Sequence, residues 1–286
     1  MSTPRFLYHA SAVGLSGEIR RPFHQHLDCQ ASTALPRYGG RAGALIKSFE
    51  IGGVLAHGGV STRLSGLYNP ELDAFETICQ STVTGLDIEK RLTADTLTSV
   101  VHSIHPALPP KPGEPPVQPS IKVKGSVATG VKIDGEEIVL KSLVDFYSQY
   151  DTLTGFGKYY EGDPVFRQQF ETDCYVGKEE VLPDNVRHFF PWRRRSSSPT
   201  LHLHNHMAIV PLFRVMNQSR PGFEVYGNVI RVEGFGRFHF GELMIEGNRR
   251  RVMMLRAELG SPCEGEVNCS CTDGNGTSDP PGGGNP

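Results

Sequence analysis

The sequence predicts an all-β or β-rich fold, an antiparallel sandwich or barrel-like set of sheets carrying two short helices. Three observations point there. Glycine (32) and proline (21) make up 53 of the 286 residues, a surplus that suits turns and strand ends and works against long helices. Several long stretches alternate at period 2 and are rich in Thr, Val and Ile, whose branched side chains fit a pleated surface. The pair Asp134-Gly135 tolerates the positive φ angles of a type I′ hairpin turn and lies between two such stretches. With 38% hydrophobic residues, and glycine besides, the chain can bury a core.

Taken in order, Met1–Ala10 (MSTPRFLYHA) contains no apolar run of signal-peptide length, and no later segment approaches the roughly 18 apolar residues of a membrane span. The expectation is a soluble, cytoplasmic protein with no membrane partner. The glycines at 39, 40 and 43 and at 52, 53, 58 and 59 interrupt apolar runs, as bulges or sheet corners do. Ala74–Gly85 and Leu92–His105 read as strands. Pro106–Pro119 is half proline and reads as an extended surface loop, with a P-x-x-P recognition ligand as the alternative. Ile121–Ile133 and Glu136–Leu140 flank the Asp134-Gly135 turn. A helix is expected from Ser142, with Leu143, Phe146, Tyr147 and Tyr150 on one face. A second is expected from Asp163-Pro164, with Phe166 and Phe170 four apart. Residues 175–199 have no period and read as a long loop. Phe223–Glu233, Arg237–Glu246 and Arg249–Leu259 continue as a meander, the last two joined by a turn at Gly247-Asn248.

From Ser261 to Pro286 the only aliphatic residue is Val267, and Glu264, Glu266, Asp273 and Asp279 have no basic counterparts. Such a stretch is expected to be a disordered tail. The organisation expected is therefore one β-rich domain over 1–260, or two β subdomains parted at the proline-rich loop, followed by the tail. Six cysteines are too few for a disulfide scaffold. Cys263, Cys269 and Cys271 lack paired zinc-site spacing and are expected as exposed thiols on the tail.

The stretch Ser81–Ile88 (STVTGLDI) with Leu92–Asp95 (LTAD), and later Gly236–Leu243 (GRFHFGEL) and Met254–Gly260 (MLRAELG), resemble a recurring pattern in an uncharacterised family of bacterial β-rich proteins. The resemblance implies a largely β fold and carries no activity.

The best chemical candidate is Leu201–Met207 (LHLHNHM). On a strand, His202, His204 and His206 share one face, with neighbours about 6.7 Å apart and the outer pair about 13 Å apart. At most two of them can therefore serve one divalent transition metal. A third ligand would come from His239, from His24 and His26, or from Glu242. The plain alternative is a solvated polar face. Trp192-Arg193-Arg194-Arg195 beside Phe189 and Phe190 has the makings of a phosphate or single-strand nucleic-acid contact. A net charge of −2 and a pI of about 6.6 weigh against nucleic acid. Arg249–Arg251 reads as the solvated start of a strand. No nucleophile elbow, phosphate loop, dinucleotide fingerprint, zinc-protease helix or calcium loop is present. The function expected is a non-enzymatic binding or assembly protein with an unidentified protein or small-molecule ligand and no cofactor, potentially homo-oligomeric. The rival is a metal-dependent β-fold enzyme using the histidine cluster.

Overall fold

The computed structural model of the chain describes residues 6–107, 118–165, 167–168, 207–246 and 249–278. Its first strands are β1 (Phe6–Arg21), β2 (Gln25–Gln30), β3 (Thr33–Ala34), β4 (Gly40–Ile46), β5 (Phe49–Ile51), β6 (Leu55–His57) and β7 (Gly59–Asn69). The long β8 (Ala74–Ile88) and β9 (Leu92–Pro106) precede five short strands, β10 (Ser120–Lys122), β11 (Val127–Thr129), β12 (Lys132–Ile133), β13 (Glu136–Glu137) and β14 (Leu140–Ser142). Helices α1 (Val144–Ser148) and α2 (Leu153–Gly162) follow. The last described strands are β15 (Met207–Pro211), β16 (Phe213–Val215), β17 (Phe223–Tyr226), β18 (Val229–Val232), β19 (Gly236–Glu246), β20 (Arg249–Leu259) and β21 (Glu264–Ser278).

Nine strands form one antiparallel sheet in the order β17-β18-β19-β20-β21-β1-β2, with β15 beside β19 and β3 beside β1. Ten form a second around β7, β8 and β9, and β14 pairs with β16. Strands β1, β20 and β21 of the first sheet pack across β7, β8 and β9 of the second, which makes a sandwich. Alternate residues of each inner face meet in one buried cluster that includes Leu15, Ile19, Val83, Leu97, Leu255 and Val267.

The strands expected at 74–85 and 92–105 form and extend to β8 and β9. Their connecting turn holds Glu89 and Lys90 at φ 55°, with the Asp87 carboxylate accepting from Lys90 N at 2.7 Å. The Asp134-Gly135 hairpin also forms, at φ 51° and 80°. Its flanking strands are shorter than the period-2 reading implies, because left-handed glycines at 125 and 130 break the run into β10, β11 and β12. The first helix is five residues, and Ser142 Oγ accepts from Val144 N at 3.3 Å. Helix α2 is additional to the two helices expected and lies between them. Thr152 caps it by accepting from Gly155 N at 3.0 Å, and Asp163 sits at its C-terminal end. Gly155 and Gly157, poor helix formers, hide it in the sequence. The helix expected from Asp163-Pro164 begins there: Pro164, Val165, Arg167 and Gln168 are helical, and Asp163 accepts from Val165 N at 2.8 Å through Oδ1 and from Arg167 N at 2.9 Å through its backbone oxygen, while Phe166 and Phe170 lie outside the described residues.

The largest correction concerns the expected tail. Glu264–Ser278 is β21, paired along its length to β1 on one side and over 265–274 to β20 on the other. Ladder bonds do not depend on side chains, so a central strand can be poor in aliphatic residues. Its small residues also fit the gap between the sheets. A Cβ on Gly276 would lie 2.1 Å from the Phe6 ring, and one on Gly274 would lie 2.8 Å from Val101. The acids are matched across strands: Arg21 reaches Glu264 at 3.1 Å, and Asp273 meets Arg249 and Arg251. Cys263 and Cys269 are buried and Cys271 is half-buried, so these are not exposed thiols. Burial pushes the Cys263 thiol up to about 11 and Cys271 up to about 12, which leaves them inert as nucleophiles. Residues 279–286 lie outside the described residues.

Candidate functional site

The outer face of the nine-stranded sheet gathers the charged residues of its central strands. A line of irregular positions crosses it at Gly241, Met254, Ser270 and Gly14, where the otherwise continuous pairing skips a residue. Gly241 and Ser270 have φ 63° and 53° there. The skip turns Ser270 inward, where its hydroxyl donates to Ser81 O of the opposite sheet at 2.9 Å. Beyond it the alternation shifts by one, so Arg256 and Glu258 face outward like Arg249 and Arg251 before it.

On one side of this line lies a buried ionic cluster. Arg256 grips Glu242 with Nε and Nη2, each at 3.0 Å, and bonds Glu258 through Nη1. Arg237 holds the other Glu258 oxygen at 3.0 Å. His239, paired with Arg256 across the strands, is fully buried, and its Nδ1 accepts from Arg256 Nη2 at 3.0 Å. A guanidinium only donates, so Nδ1 is the acceptor and Nε2, which lies 3.5 Å from Glu258 Oε1, carries the ring N–H. Burial raises the Glu258 carboxyl, but the His239 ring and the two arginines outweigh it and hold the group at about 2. Burial likewise opposes ionisation of Glu242, and Arg256 and His239 overcome it, so that carboxyl is also lowered. The Arg256 side chain is only 5% exposed.

On the other side of the line is a groove of about 690 Å³ between β3, β1 and β21. His9 and Ser11 of β1, Asp273 and Asn275 of β21, Arg249 of β20 and Arg37 line it. Register explains the convergence, because His9 pairs with Asn275 and Ser11 with Asp273. Arg249 Nε donates to Asp273 at 2.8 and 3.0 Å, and Arg251 Nη2 reaches the same carboxylate at 3.2 Å. Arg250, between them in sequence, points the opposite way and is 2% exposed, which corrects the reading of 249–251 as wholly solvated. Its guanidinium donates to Asp151 O at 3.3 Å, and burial lowers it to about 10.

Of the residues singled out in the sequence, His239 and Glu242 belong to the ionic cluster. His202, His204, His206 and Trp192–Arg195 lie outside the described residues. His24 bonds Glu18 at 2.8 Å on the surface, and His26 is an exposed residue of β2. Among the described residues, no group of three or more His, Cys, Asp or Glu is placed to hold a metal ion. An ion at His239 would first have to displace Arg256 or the Nε2 proton. Sequence reasoning missed Arg256, Glu258, Asp273 and Arg37. The alternating charges of β20 were a usable signal, whereas the assignment of 261–286 as a tail concealed Asp273.

Residues 6–246 match the model of a family described as a domain of unknown function, DUF8256. The chain belongs to this family. No curated protein and no solved structure matches it. The resemblance read from Ser81–Asp95 lies within the matched region, on the hairpin of β8 and β9. The match ends with β19, so the groove residues of β20 and β21 fall beyond it. Among the described residues no helix is long and apolar enough to cross a membrane.

Proposed function

We propose that the chain is a non-catalytic β-sandwich binding module whose small polar ligand occupies the groove between β3, β1 and β21. One observation carries the reading. Glu242, Glu258 and Asp273 on this face are already engaged by arginines, while the open groove beside them keeps polar side chains turned to solvent. Catalysis by acid and base needs a group poised to exchange protons near neutral pH. Glu242 and Glu258 are instead held ionised inside salt bridges, which supports recognition over turnover. Apolar Ala34 and Leu35 on one wall, with polar groups opposite, make the mixed lining common to small-molecule sites. The described cysteines are all free, which supports a reducing, cytoplasmic setting.

A thermal-shift screen of the full chain against a panel of small polar metabolites tests this. Binders are expected, and Ser11→Arg, which fills the groove from an exposed position, should abolish their effect. Turnover of any panel compound, lost in the same variant, would replace the binding reading with an enzymatic one.

A further inference from the structure

We infer that the groove selects an oxyanion, a ligand presenting a carboxylate or phosphate group. The inference rests on the groove being the binding site and names the chemistry it takes. Among the described residues lining the groove, the one acidic side chain is Asp273, and its oxygens already accept from Arg249 and Arg251. It offers a ligand little acceptor capacity. Of the remaining polar groups, Arg37 and the Asn275 NH₂ only donate, and His9 and Ser11 can each donate as well as accept. Arg37 is exposed at the groove wall, and its backbone is pinned beside β1 by the bond from Tyr8 N to Arg37 O at 2.9 Å. Its position is therefore set by the sheet although its guanidinium faces solvent. Asn275 Oδ1 accepts from Gly276 N at 2.6 Å, which fixes the amide and leaves its NH₂ as the outward donor. His9 has a ring N–H in either tautomer, and the Ser11 hydroxyl is exposed on the same face.

A ligand that meets the Arg37 guanidinium and the Asn275 NH₂, which only donate, with His9 and Ser11 able to donate beside them, is favoured when it is rich in acceptors, and a guanidinium fork favours a planar carboxylate or a phosphate. A neutral polyol would bring as many donors as acceptors, and only the Ser11 oxygen and one His9 nitrogen are open to accept from its hydroxyls. Salt should weaken binding, since the site is open to solvent.

The test is calorimetric titration of the full chain with inorganic phosphate, succinate and glucose, repeated with Arg37→Ala and Asn275→Asp. Arg37 is exposed, so an unchanged melting temperature in Arg37→Ala establishes that the variant is folded. The expected result is binding of phosphate or succinate but not glucose, weakened about tenfold or more by Arg37→Ala and by Asn275→Asp. Which of the two anions binds more tightly separates a phosphate ligand from a carboxylate. Glucose binding that Ser11→Arg abolishes would overturn the oxyanion assignment and leave the groove as the site. Anion binding untouched by Arg37→Ala and Ser11→Arg would overturn the groove itself. No binding of either anion would overturn the assignment of ligand class.

Discussion

Replacing Arg256 with Met removes the hub of the buried ionic cluster while keeping much of its stem volume. Four hydrogen bonds vanish: two to Glu242, one to Glu258 and one to His239 Nδ1. The consequences for the two carboxylates differ. Glu258 keeps Arg237 at 3.0 Å, whereas Glu242 is left with His239 Nδ1 at 3.7 Å. Both acid side chains are less than one-fifth exposed, so a stranded charge is poorly solvated. Breaking one side of a buried pair costs roughly 3–5 kcal/mol, and that is the expected loss in urea unfolding at pH 7. Pairing the change with Glu242→Gln should recover a large part, because the stranded charge disappears. A loss under about 1 kcal/mol for Arg256→Met, or no recovery in the double variant, would refute the account of the cluster as a network that each member keeps solvated.

Acid should weaken the protein in two windows. His105 is buried against the Phe6 ring, and burial lowers it to about 4. The unfolded chain takes up its proton first, so stability present above pH 6.5 is lost as pH falls toward 4; His105→Phe should flatten that part of a urea-midpoint profile. Glu258 contributes roughly 3 kcal/mol above pH 4.5, lost as pH falls toward 2, and Glu258→Gln should remove that dependence. Gly276→Ala should cost about 1–3 kcal/mol in thermal or urea unfolding, because its methyl would meet the Phe6 ring; a neutral result would mean the sheets can part there. Amide hydrogen exchange should find residues 265–274 among the most protected, and rapid exchange there would restore the tail reading.

Much of the fold could be read from local pattern. The threonine- and valine-rich alternation of 74–105 and the Asp134-Gly135 turn are short-range properties, and they appear where expected. The errors have two causes, one local and one in long-range contact. α2 is hidden by two glycines but capped by Thr152. β21 looks like a tail because its residues are small and acidic, yet β1, at the other end of the chain, and the preceding strand β20 supply its ladders. The candidate site was legible only at His239 and Glu242. Their partners Arg256 and Glu258 acquire a shared face through a register skip at Gly241 and Met254 that no periodicity reveals.

The sequence by itself determined that this chain builds antiparallel sheets, because period-2 alternation and turn chemistry act between near neighbours. Only the tertiary structure decided which charges are spent on one another and which remain for a ligand. That choice depends on register across β19, β20, β21 and β1, where residues hundreds of positions apart come within a hydrogen bond's reach, as in the pairing of His9 with Asn275.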